Sequence, residues 1–120
     1  MVIPLKHPQE IEVWYVLPAI RRELAVLLRA RGISQKAVAH MLGITESAVS
    51  QYINQKRAKE LVFPDEVREF IREASVLIVD ERSAYKQVQL ISKFIKDSKA
   101  LCKVHMGLES GLAGCDICYK

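Results

Sequence analysis

The chain is 120 residues long, half apolar and 27% charged, with a formal net charge of +4. This composition is globular and excludes a disordered polymer, while the modest positive charge permits a polyanionic partner without requiring one. No apolar run reaches the roughly 18 residues of a membrane-spanning helix, and Glu10 and Glu12 interrupt the only signal-like segment, so the expected location is the cytoplasm, where the three cysteines favour metal binding over disulfides.

Glycine and proline are scarce, and β-branched residues sit inside helix-period patterns. The expected fold is therefore all-α: a helix-turn-helix bundle, two long C-terminal helices and an irregular metal-binding tail. The first helix is predicted over 8–30, from Ile11, Trp14, Tyr15, Leu17, Ile20, Leu24, Leu27 and Leu28. Pro18 removes one backbone bond and disfavours helical geometry at Leu17, so a kink or two abutting helices is expected there. Arg31 and Gly32 close the helix with a basic last turn and a C-terminal glycine.

Two short helices follow at about 35–42 and 46–54, then a polar, basic link from Gln55 to Glu60. Pro64, Asp65 and Glu66 start the next helix, with proline in the first turn and acids at the positive end of the dipole. It runs to about Val79 with Val67, Phe70, Ile71, Ala74, Leu77 and Ile78 on its apolar side. Ser83 is expected to cap the last helix, over 84–103, which turns Val88, Ile91, Ile95 and Leu101 inward and leaves Leu90 and Phe94 off that stripe. The chain thus divides into an N-terminal unit (1–60), a helical region (61–101) and a Cys/His tail (102–120).

The stretch from Ser34 to Asn54 carries the most specific pattern. Two helices crossing steeply need a short turn, a small residue at the contact and a position that accepts positive φ. Ala39 and Gly43 supply these, Ser34 and Thr45 can each cap a helix, and Val38, Leu42, Ile44, Val49, Tyr52 and Ile53 can fill a core between the helices. With Ser34-Gln35, Val38-Ala39, Leu42-Gly43-Ile44 and Ala48-Val49-Ser50 in place, the segment resembles the lambda-repressor-like (XRE-type) helix-turn-helix. The wider stretch from Trp14 to Arg57 is similar to a group of archaeal transcriptional regulators. The resemblance covers the first half of the chain well and the second half loosely.

The resemblance implies that the second short helix enters the major groove of double-stranded DNA, where base edges carry a distinguishable donor and acceptor code. Its outward positions are Thr45, Glu46, Ser47, Ser50, Gln51 and Asn54. Glu46 can accept from a cytosine amino group and Gln51 can bond an adenine edge. The set holds no Arg or Lys, so bidentate guanine reading is not expected. Phosphate contacts are expected from Gln35 and Lys36 and, beyond the second helix, from Asn54, Lys56, Arg57 and Lys59.

Near the C-terminus, Cys102 and His105 form a C-x2-H pair, and Cys115 and Cys118 form a C-x2-C pair. Two closely spaced pairs of soft or borderline ligands can close a tetrahedron, with Gly107, Gly111 and Gly114 loosening the loop between them. A structural zinc ion is the simplest occupant; an iron–sulfur cluster with histidine ligation is the alternative and would add a redox switch. His7 and His40 have no cysteine nearby and are read as ordinary surface or partly buried histidines.

One recognition helix reads few base pairs, so a homodimer on two half-sites is expected, joined through the C-terminal helices, where Tyr85, Leu90 and Phe94 place apolar groups on more than one face. The leading expectation is a sequence-specific transcriptional regulator. An iron–sulfur redox sensor using the same reader and a DNA-binding antitoxin or protein-interaction module are the alternatives. No serine–histidine–acid constellation or glycine-rich phosphate loop points to an enzyme.

Overall fold

Pro18 shapes the first element, and not by breaking it. In the computed structural model, which describes residues 7–54 and 62–98, helical geometry runs unbroken through the proline. Helix α1 (Pro8–Ile11) passes into a π-helical turn (Glu12–Val16) and then into α2 (Leu17–Ala30). Leu17 is helical, at φ −60° and ψ −46°, and its N–H donates to the Glu12 carbonyl, one residue further back than in an α-helix. The kink or helix junction expected there takes the form of a widened turn between two α segments, which absorbs the proline's lost donor and ring bulk while the chain stays helical.

The extra residue also resets the buried stripe. Ile11, Val16, Ile20, Leu24 and Leu28 are buried; the interval of five falls across the π turn and the intervals of four within α2. Trp14, expected inside from α-helical spacing, is 56% exposed, and Val13 lies beside it in solvent.

Four further α-helices follow among the described residues: α3 (Gln35–Leu42), α4 (Glu46–Ile53), α5 (Asp65–Val76) and α6 (Glu81–Asp97). The all-α expectation holds for this part of the chain. Helix α2 is the spine, packing against both α4 and α5, while α3 packs on α4 and α6 and α5 pairs with α6. One continuous apolar core joins these elements, from Ile11 through Val38, Val49, Tyr52, Phe63 and Ile71 to Ile95. An eight-residue helix such as α3 or α4 is marginal in water alone, so this shared burial is what maintains both.

The α5–α6 corner differs from the sequence reading, for a tertiary reason. Helix α5 stops at Val76 rather than near Val79. A longer helix would pair the Val79 N–H with the Ser75 carbonyl; instead that N–H donates to Ser83 Oγ at 2.9 Å. The Ser75 carbonyl accepts from the Arg31 guanidinium at 2.6 Å, and the Ile78 carbonyl accepts from the same nitrogen at 2.9 Å. Arg31, at the end of α2, thus caps α5 from across the fold. Leu77, expected inward, is exposed, while Ile78 is buried.

Helix α6 begins at Glu81, not Ala84, because Asp80 rather than Ser83 is its N-cap. Asp80 Oδ1 accepts from the Ser83 N–H at 2.8 Å, and Ser83 Oγ accepts from the Asp80 N–H at 3.0 Å, a reciprocal capping box. The Ser83 amide, and after it the Ser83 hydroxyl, hold the Asp80 carboxyl below the ordinary carboxylate range. Further along α6, Phe94 is not free: its ring stacks on Phe70 of α5, with centroids 4.3 Å apart. Leu90 is exposed, as expected. Helix α6 ends at Asp97. Leu101, Lys56, Arg57, Lys59 and the tail with Cys102, His105, Cys115 and Cys118 lie outside the described residues.

Candidate nucleic-acid interface

The pair α3–α4 is built by local chemistry at three points. Ser34, in an extended conformation at ψ 154°, accepts from the Ala37 N–H and starts α3. Gly43 takes φ +68° and ψ 33° and ends it, a left-handed conformation that strains any side chain with a Cβ. The Ile44 N–H returns to the Ala39 carbonyl at 3.0 Å, reversing the chain within the helix's own end. Thr45 then accepts from the Ala48 N–H at 3.0 Å and starts α4.

Tertiary packing aims the second helix. Val38, Ala39, Ala48, Val49 and Tyr52 are buried, and the small side chains of Ala39 and Ala48 allow α3 and α4 to approach closely. Leu42, Ile44 and Ile53 are partly buried against the same core. One polar tie joins the N-termini of the two helices: Gln35 Nε2 donates to the Glu46 carbonyl at 3.0 Å. Sequence reasoning places Gln35 at a phosphate but does not find this tie, because the partners are 11 residues apart and no periodicity links them. The Gln35 amide retains a second N–H and its oxygen for an outside partner.

The outward surface of α4 is polar. Thr45, Glu46, Ser47 and Asn54 are exposed, and Ser50 and Gln51 are half-buried. Asn54 Nδ2 donates to Ser50 Oγ at 3.3 Å, so these two side chains are partly engaged with each other. Lys36 is exposed on the first turn of α3 and Gln35 is half-buried beside it. The structure thus brings together eight of the eleven side chains that sequence reading assigns to DNA; the other three, Lys56, Arg57 and Lys59, are outside the described residues.

Residues 24–61 match the helix-turn-helix family model. The matched span contains all of α3 and α4 together with the last turns of α2. The match supports a helix-turn-helix in this segment and covers less than half of the chain. No curated protein and no solved structure matches the chain.

Away from this helix-turn-helix, no group of three or more His, Cys, Asp or Glu side chains among the described residues can hold a metal ion. His40 is a surface residue whose Nε2 lies 3.5 Å from Glu81 Oε2, linking α3 to the start of α6. No helix among the described residues is long and apolar enough to cross a membrane.

Proposed function

We propose that the protein is a sequence-specific transcriptional regulator that places α4 in the major groove of duplex DNA. The observation that carries this reading is the capped α3–α4 pair, held from behind by α2, which presents an exposed polar surface on a helix the core keeps rigid. In this reading Thr45, Glu46, Ser47, Ser50, Gln51 and Asn54 face base edges, and Gln35, Lys36, Lys56 and Arg57 hold phosphates. With no Lys or Arg between Thr45 and Asn54, most of the affinity must come from those flanking phosphate contacts. The test is a salt titration of DNA binding. Arg57→Ala should weaken binding to all duplexes about equally and lower the slope of log affinity against log salt by about one; an unchanged slope removes Arg57 from the phosphate set.

The protein acts as a homodimer in this reading, through the helices of the 61–101 region. The α5–α6 corner supports it: Val76, Leu77, Val79 and Tyr85 are exposed there, Tyr85 at 71%. Val79 and Tyr85 line a surface groove of about 720 Å³ with Ala37, His40 and Met41, and the charged residues Asp80, Glu81 and Arg82 border the same groove. A cluster of exposed large apolar groups is what a partner surface needs. Sedimentation of the full chain should give a dimer, and footprints should show two half-sites about one helical turn apart.

The tail completes the reading. Cys102, His105, Cys115 and Cys118 have the spacing of a structural zinc site, and zinc is the proposed occupant on that ground alone. Metal analysis with a visible spectrum, on protein purified without oxygen, decides between colourless zinc and a coloured iron–sulfur cluster.

A further inference from the structure

The outward face of α4 carries a single formal charge, and it is negative. From Thr45 to Asn54 the sequence contains Glu46 and no Lys, Arg or Asp. A carboxylate facing a polyanion is repelled at every sequence unless something on the DNA compensates it.

Two features of the structure fix how Glu46 meets that problem. Its backbone is held on both sides, by the Thr45 cap to the Ala48 N–H and by the Gln35 amide on its own carbonyl. Its side chain is exposed and has no ion pair or hydrogen bond among the described residues. The Gln35 tie uses the main-chain oxygen and leaves the carboxylate untouched. Glu46 is thus an acceptor-only group on a fixed mount at the first turn of the helix.

We infer that Glu46 is a specificity-determining residue that selects a cytosine and rejects guanine at the base pair it faces. The inference rests on α4 entering the major groove. There, cytosine offers its N4 amino group, the one compensation a carboxylate can accept. Guanine offers N7 and O6, both acceptors, and thymine offers O4 and a methyl group. Adenine is intermediate, because its N6 amino group adjoins the N7 acceptor. Selection works chiefly by penalty: the wrong base leaves a desolvated, unpaired charge among phosphates. Neighbouring Thr45 and Ser47 are short and neutral, and neither supplies such a penalty.

The test uses the full chain, a randomised duplex library, and the wild-type and Glu46→Gln proteins. Gln is nearly the same shape but carries both a donor and an acceptor, so it removes the charge without removing the reach. Wild type should enrich one cytosine per half-site, and a C-to-G exchange there should weaken binding about tenfold or more. Glu46→Gln should flatten that preference mainly by binding the guanine duplex more tightly than wild type does, with a melting temperature lowered by at most a few degrees through the lost charge at the start of α4. A variant that keeps the wild-type cytosine preference, or that loses affinity equally for every duplex, overturns the assignment. Failure of the wild-type protein to enrich any duplex is a different result: it overturns the major-groove reading, and this inference with it.

Discussion

Helices α4 and α6 meet water in opposite ways. Helix α4 has eight residues, starts on a single threonine cap and shows solvent a polar surface. Helix α6 has 17 residues, starts on a reciprocal capping box and, with the corner before it, leaves Val79, Tyr85 and Leu90 exposed. The short helix depends on its neighbours for existence, which leaves its outward side chains free to be chosen for recognition. The long helix carries more apolar surface than its own core uses, and that surplus suits a protein partner. One spine serves both regions, since α2 packs against α4 and α5, and α5 carries α6.

The shared spine gives the largest expected effect. Leu24 lies fully buried within α2, and Leu24→Ala should cost about 2–5 kcal/mol, a large part of the stability of a domain this size. Thermal melting should show one cooperative loss, with α4 and α6 failing together. A variant that melts one helix and spares the other would show that the spine is not shared.

Arg31 offers a way to separate the two regions. Its guanidinium is the tertiary cap on the end of α5, so Arg31→Met should cost about 1–3 kcal/mol. Native-state hydrogen exchange should show the loss at the α5 end and the α6 start before it reaches α4. Equal loss of protection in α4 would mean that the corner and the reader open as one unit.

The smallest effect concerns the start of α6 alone. Hydrogen bonding to Ser83 depresses the folded-state pKa of the Asp80 carboxyl. The contribution is therefore complete above the ordinary carboxylate value and is lost as pH falls through the lowered one. Amides in the first turn of α6 should keep their protection from neutral pH to about pH 4 and lose it only below, while the neutral Thr45 cap of α4 should not respond. A loss of α6 protection already at mildly acidic pH would point to a different titrating group.

What could be read in the sequence follows the range of the interaction. Ser34, Gly43 and Thr45 act on groups within four residues of themselves, so the bounds of α3 and the start of α4 were legible. The α6 cap was also local, yet the expectation chose Ser83 over Asp80; the two residues form one reciprocal motif, and its first member sets the start. In the first helix the spacing places Ile11, Ile20, Leu24 and Leu28 correctly and fails only at Trp14 and Val16, for another reason. Spacing rules assume a constant turn, and a π turn before Pro18 shifts the register by one residue, turning Val16 in and Trp14 out.

The sequence by itself determined that this chain folds into helices and that two of them form a capped helix-turn-helix, because caps, turn glycine and apolar period are encoded within a few neighbouring residues. Only the tertiary structure decided that Arg31 ends α5 over a separation of 44 residues, that Phe94 stacks on Phe70 rather than facing a partner, and that Gln35 holds the backbone of Glu46 through its carbonyl and not its carboxylate. Each of these joins groups that no local pattern connects; chain folding alone brings them within reach.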